Sequence, residues 1–172
     1  YLGDSVGYFY HIDRNSTLLY SRPFTNEPLN YSTPVVTTNG NIYVCCYDAA
    51  LSYLFALDPD DLSEQWNFCE AASTFFCSPA IGTNDIIYVG DHYNNRLYAV
   101  DTNGQKTAQW GLGGGPYGSP AVGENGTIYL TDSTTTTRVY SVSQNGTTNW
   151  SRIYGDGSYS TPAIDSNDVI YV

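Results

Sequence analysis

The sequence predicts an all-β protein made of about four tandem repeats, on three markers that recur in one order. Tyrosines close an apolar pattern at Tyr1, Tyr43, Tyr88, Tyr129 and Tyr171, spaced 42, 45, 41 and 42 residues apart. Pro34, Pro79, Pro120 and Pro162 sit in Ser-Thr-Pro-Val, Cys-Ser-Pro-Ala-Ile, Gly-Ser-Pro-Ala-Val and Ser-Thr-Pro-Ala-Ile, spaced 45, 41 and 42. The third marker runs through Phe9 to Asp13, Leu54 to Asp58, Leu97 to Asp101 and Val139 to Ser143, and a late aromatic follows at Tyr20, Trp66, Trp110 and Trp150. Tandem units of about 40 to 45 residues with four short antiparallel strands each are β-propeller blades. The repeat phases are about 1–42, 43–87, 88–128 and 129–170, with 171–172 starting the next.

Each strand follows from short apolar, aromatic and β-branched runs broken by turn chemistry, with no segment at helical spacing. In the third unit Ser119 to Gly123 reads as the first strand, Glu124-Asn125-Gly126 as the turn and Thr127 to Thr131 as the second strand. The same turn recurs as Asn39-Gly40, Asn84-Asp85 and Asn167-Asp168. Asn before Gly or Asp accepts the positive φ of a two-residue hairpin, so these strands are expected to be antiparallel neighbours. Asp101-Thr102-Asn103-Gly104 joins the third strand to the fourth in the same way. Asp13, Asp58 and Asp101 recur at one repeat position, as turn-capping residues do and paired catalytic carboxylates do not.

Composition removes several function classes. Hydrophobic residues make up 41%, enough for a packed core, while 6 basic against 17 acidic side chains leave a net charge of −11. A pI near 4.1 with scattered Lys and Arg offers nothing to neutralise phosphates, so neither nucleic acid nor an anionic membrane is an expected partner. No apolar run approaches the ~20 residues of a membrane helix. The chain opens at Tyr1 and contains no Met, so it reads as a mature product or an excerpt.

The wording of the repeat resembles the PQQ-like, or quinoprotein-type, propeller family along the whole chain. Ser-Pro-Ala-Ile/Val, Asn-Gly, Ile-Tyr-Val-Gly-Asp and Leu-Tyr-Ala-Val-Asp with a late Trp carry the resemblance. The family includes alcohol dehydrogenases, outer-membrane assembly lipoproteins and sensor ectodomains, so the resemblance specifies fold more than function. Its PQQ and metal ligands map onto no residue here, and no cofactor is expected. Members of the family more often have seven or eight blades, and three readings of the ends stand: an excerpt from a longer propeller, a closed four-bladed ring, or assembly with other copies.

Propeller topology puts the tight turns on one face and the longer loops on the other. Five Asn-x-Ser/Thr sequons, at Asn15, Asn30, Asn125, Asn145 and Asn149, suggest N-glycosylation, with Asn15, Asn125 and Asn145 on the tight-turn face. An even cysteine count, Cys45, Cys46, Cys69 and Cys77, favours disulfides over a zinc site, with three pairings open. Cys69 and Cys77 bracket one loop and are the easiest pair, which would leave Cys45 and Cys46 vicinal; the alternative ties those two separately to Cys69 and Cys77. PQQ-dependent alcohol dehydrogenases carry a vicinal pair against the cofactor, but a loop staple is the preferred role here.

Phe75, Phe76, Tyr93, Tyr117, Tyr154 and Tyr159 fall in or beside the long loops and are the candidate binding residues, together with Tyr31, Tyr47 and Tyr53. His11 reads as a packed strand residue and His92 as a loop residue, while Asp58, Asp60, Asp61 and Glu64 read as a solvated acidic turn and Gly113-Gly114-Gly115 as a flexible one. The expectation is an extracellular or cell-surface, glycosylated, non-catalytic scaffold, suited to a fibre or matrix. A propeller binding a glycan or protein on its loop face is the alternative, and a dehydrogenase fragment the least favoured.

Overall fold

The computed structural model describes residues 1–23, 32–47, 51–83, 85–133, 135–156 and 159–172. Strands β1 (Leu2–Gly3), β2 (Tyr8–Ile12) and β3 (Leu18–Pro23) form the first sheet. The second contains β4 (Val35–Val36), β5 (Ile42–Tyr47), β6 (Ser52–Leu57) and β7 (Glu64–Phe68). The third contains β8 (Ala80–Ile81), β9 (Ile87–Asp91), β10 (Arg96–Val100) and β11 (Lys106–Gly111), and the fourth β12 (Ala121–Val122), β13 (Ile128–Ser133), β14 (Thr136–Val142) and β15 (Thr148–Asp156). Strands β16 (Ala163–Ile164) and β17 (Ile170–Tyr171) open a fifth. Strand neighbours follow chain order and are antiparallel, as expected of propeller blades, and no strand pairing joins the first sheet to the last among the described residues.

The strands are apolar runs because the middle blades bury both faces, and alternation assigns successive residues to opposite neighbours. From β5, Tyr43 and Cys45 pack with Ile87, Val89 and Tyr98 of the third blade, while Ile42, Val44 and Cys46 pack with Phe9 of the first. Tyr88, Leu97 and Trp110 repeat the arrangement against Ile128, Leu130 and Tyr140. The covering sheet is what buries these positions: Tyr43 and Tyr88 are 0% and 1% exposed, whereas Tyr171 is 58% exposed.

Three sequence expectations change in detail. The hairpin turns are three-residue loops rather than two-residue ones: the amide of Gly40 donates to the Thr37 carbonyl at 3.0 Å, and that of Thr37 to the Asn41 carbonyl at 3.0 Å. The second residue of each Asn-Gly or Asn-Asp pair has positive φ, at Gly40, Asp85, Gly126 and Asp168, while Asn39, Asn125 and Asn167 do not, so in those three turns one left-handed residue suffices. Asn84 itself lies outside the described residues. The late tryptophans are also not strictly equivalent. Trp66 pairs with Ala56 and Trp150 with Ser141, but in the third blade Ala108 takes that place and Trp110 stands two residues on, opposite Leu97. A shift of two keeps Trp110 on the same face, where it still packs 6.1 Å from Tyr88.

The first strands are shorter than expected. Ser119 and Pro120 are outside β12 because Pro120 has no N–H and the Ser119 amide is committed elsewhere. That amide donates to Thr161 Oγ1 at 3.1 Å, the Ser78 amide to Ser119 Oγ at 2.9 Å, and the Thr33 amide to Ser78 Oγ at 2.7 Å. The separations are 42, 41 and 45 residues, one repeat each, so every bond joins one blade to the next. Strand β12 touches both β8 and β16, which places this chain of bonds among the innermost strands.

Replacing Ser119 by Ala leaves the part-buried Ser78 amide without its acceptor and is expected to lower unfolding free energy by about 1–2 kcal/mol. Ser119→Thr keeps the hydroxyl and is expected to recover most of the loss in urea unfolding.

Candidate functional site

The loops preceding the first strands bring aromatic rings together at the inner end of the blades. Phe76, Tyr117 and Tyr159 each stand three residues before a repeat proline, so three successive blades deliver a ring to one place. Phe76 and Tyr117 lie parallel, with centroids 5.3 Å apart and planes at 1°, and Tyr159 meets Tyr117 edge-on at 4.7 Å and 84°. Both geometries suit the aromatic quadrupole. Tyr47 extends the row, 4.9 Å from Phe76. Phe76, Tyr117, Tyr159, Ser119 and Thr161 line a cleft of about 540 Å³. Its hydroxyls are those of the blade-to-blade bonds, so the site is built on the most constrained part of the fold.

His92, a loop residue between the second and third strands of its blade, belongs to this cluster. Its ring lies 4.0 Å from Tyr117 and 5.6 Å from Phe76, and its amide donates to the Thr74 carbonyl at 2.9 Å. The supporting carboxylate is buried Asp91, whose Oδ1 accepts from the Thr74 amide at 3.0 Å and whose Oδ2 accepts from Asn94 Nδ2 at 2.7 Å. A Cβ on Gly115 would stand 2.3 Å from both His92 Nδ1 and the His92 carbonyl oxygen. The glycine run is therefore a packing requirement at Gly115 rather than a flexible hinge. Gly113 is fixed as well: its amide donates to Tyr140 Oη at 2.7 Å, and Tyr140 Oη donates to Asp132 Oδ2 at 2.5 Å. Burial first, and then the Asp132 bond, push the Tyr140 phenol up to about 12, so it stays a neutral donor.

The other candidate aromatics lie elsewhere. Phe75, adjacent to Phe76, points to the opposite side and is 1% exposed in the core, stacked on Phe68 at 6.3 Å. Tyr93 and Tyr154 are 71% and 66% exposed and do not line the cleft. Tyr53 packs in the core beside Phe55, and Tyr31 lies outside the described residues.

Among the sequons, Asn15, Asn125, Asn145 and Asn149 are exposed, and Asn30 lies outside the described residues. Asn125 and Asn145 do cap turns, accepting from the Thr127 amide at 2.8 Å and the Thr147 amide at 3.3 Å. Both use Oδ1, whereas a glycan is carried on Nδ2, so the two roles are compatible. Asn15, Asn125 and Asn145 occupy the hairpin turns at the face opposite the cleft. The recurring aspartates also cap these turns: Asp13 and Asp101 each accept from the amides two and four residues on. These bonds hold the Asp13 carboxyl below its ordinary range, the Thr17 amide contributing most.

The expected disulfides are not formed in the structure, where Cys45, Cys46 and Cys77 are buried and Cys69 is exposed. Cys69 is exposed while Cys77 is in the core, so the loop staple between them is not formed. A vicinal bond is ruled out by the strand, because Cys45 and Cys46 point to opposite faces and belong to different core clusters. Among the described residues, no group of three or more His, Cys, Asp or Glu could hold a metal ion.

Comparison with known proteins identifies the fold. No family model and no curated protein match the sequence. Among solved structures, the chain is similar to BamB from Moraxella catarrhalis, with a TM-score of 0.74 and 16% identity over 95% of this chain and 49% of that one. It is also similar to hydrazine synthase from Kuenenia stuttgartiensis (0.70, 16%, 84% and 42%) and to virginiamycin B lyase from Staphylococcus aureus (0.61, 18%, 81% and 47%). The chain thus spans about half the length of each of these chains.

Gly115→Ala is expected to destabilise by about 1–3 kcal/mol, since the clash includes backbone and cannot be relieved by a rotamer. Gly111→Ala, with nothing within 4 Å of the added Cβ, is expected to change the melting temperature little.

Proposed function

We propose that this chain is part of a glycosylated, extracellular or cell-surface propeller of the PQQ-like type that acts as a non-catalytic interaction scaffold and holds a protein or glycan partner in the aromatic cleft. The single observation that carries the reading is the row of Phe76, Tyr117 and Tyr159, three rings from three consecutive blades around one open cleft. Parallel and perpendicular rings offer flat faces for the C–H faces of a sugar or for apolar side chains, and the Ser119 and Thr161 hydroxyls supply polar contacts beside them. The described lining is aromatic and hydroxylic, with the His92 ring packed behind Tyr117, a composition that suits recognition by stacking and hydrogen bonding.

Exposed sequons on the far face support the extracellular part of the reading, because glycans there would leave the cleft open. A place in a fibre or matrix would use the same separation, with the cleft and the blade ends as the contact surfaces.

Binding to glycan and peptide arrays, read with Phe76→Ala/Tyr117→Ala beside wild type, tests the reading. Loss of two stacking rings is expected to weaken binding at least tenfold with the fold intact by circular dichroism, while Tyr93→Ala binds as wild type. Unchanged binding by the folded double variant would overturn it.

A further inference from the structure

Cys45 and Cys77 are the chemistry-bearing side chains that the cleft does not use. In the repeat, Cys45 shares its position with Gly90 and Thr131, each two residues after a marker tyrosine. Cys77 shares its position with Ser32, Gly118 and Ser160, each two residues before a marker proline. The fourth blade shows how these two positions meet: Thr131 Oγ1 donates to the Ser160 carbonyl of the next blade at 2.7 Å. The same step taken from the second blade to the third brings the side chain of Cys45 to Cys77.

The surroundings agree with that geometry. Cys45 and Cys77 lie in one core cluster, each 1% exposed. Burial pushes the Cys45 thiol well up and the neighbouring Cys77 pushes it further, while burial takes the Cys77 thiol up to about 12. Cys46 faces the first blade, and Cys69 is exposed outside the cluster.

We infer that Cys45 and Cys77 form a disulfide that joins the second blade to the third when the chain folds in an oxidising compartment. The inference rests on the extracellular part of the proposed function. The thiolate of one cysteine attacks a low-molecular-weight or protein disulfide and displaces one thiolate. The second cysteine then attacks the mixed disulfide at the protein sulfur and displaces the other. Two protons and two electrons leave the pair, and the oxidant ends as two thiols. Because both thiols are held protonated once buried, exchange belongs to the stage before the blades close. The Cys77 sulfur, which accepts from the Gly90 amide at 3.3 Å, remains an acceptor in the disulfide.

Two variants are supplied by the repeat itself: Cys77→Ser copies Ser32, whose Oγ accepts from the Cys45 amide at 3.0 Å, and Cys45→Thr copies Thr131. The full chain is refolded in a glutathione redox buffer, which makes the test independent of where the protein resides, then alkylated without reduction, digested and sequenced by mass spectrometry. The expected result is one cross-link between the Cys45-Cys46 peptide and the Cys77 peptide, kept in Cys46→Ala and Cys69→Ala and lost in Cys45→Thr and Cys77→Ser. Reduction is expected to lower the melting temperature of wild type by roughly 10 °C and to leave that of Cys77→Ser unchanged. Four alkylated thiols, or a cross-link that survives Cys45→Thr, would overturn the inference. Absence of N-glycan on native material would overturn the extracellular reading alone.

Discussion

The hydrogen bond from one blade's amide to the next blade's hydroxyl is the constraint on which the molecule depends. Thr33 to Ser78, Ser78 to Ser119 and Ser119 to Thr161 form a series in which Ser78 and Ser119 each serve twice, the hydroxyl as acceptor for the preceding blade and the amide as donor to the following one. Each step of the series spans one repeat, 45, 41 and 42 residues in turn. The adjoining proline contributes by having no amide to satisfy, so the innermost strand can approach its neighbours without an orphaned donor. Sheet packing then follows, since blades fixed at the centre bury both faces of each middle sheet.

The same constraint separates two functional surfaces. On one side the connections are short turns, capped by Asp13, Asp58, Asp101, Asn125, Ser143 and Asp165, and that side carries Asn15, Asn125 and Asn145. On the other, the side chain three positions before the repeat proline lines the cleft in three successive blades. Phe76, Tyr117 and Tyr159 meet there ring to ring, and Tyr47 and His92 add contacts particular to their own blades. His92 joins them because Asp91 and Thr74 fix the start of its loop and Gly115 leaves room for its ring.

Much of this was readable in the sequence, and the remainder was hidden by register. The repeat, the strand order, the two faces and the capping aspartates followed from periodicity and turn chemistry. The Ser-Pro and Thr-Pro motifs were visible, but their partner is one repeat away, and local patterning carries no record of a bond between sheets. Phe75 and Phe76 are adjacent and chemically alike; only alternation puts one in the core and the other in the cleft. Cys45 and Cys46 are divided by the same alternation. The aromatic position before each proline was a signal within reach, since Tyr31, Phe76, Tyr117 and Tyr159 share it. Trp110 is offset although all four blades share the same bulge between third and fourth strands, so the difference lies in where the sequence puts its aromatic and not in the register.

Site-resolved amide hydrogen exchange at Thr33, Ser78 and Ser119 tests the central claim most directly, because none of these amides has a partner within its own sheet. The account predicts protection at all three, with Ser119→Ala releasing the Ser78 amide in particular. Exchange of the wild-type Ser78 and Ser119 amides at the rate of an open loop would contradict it.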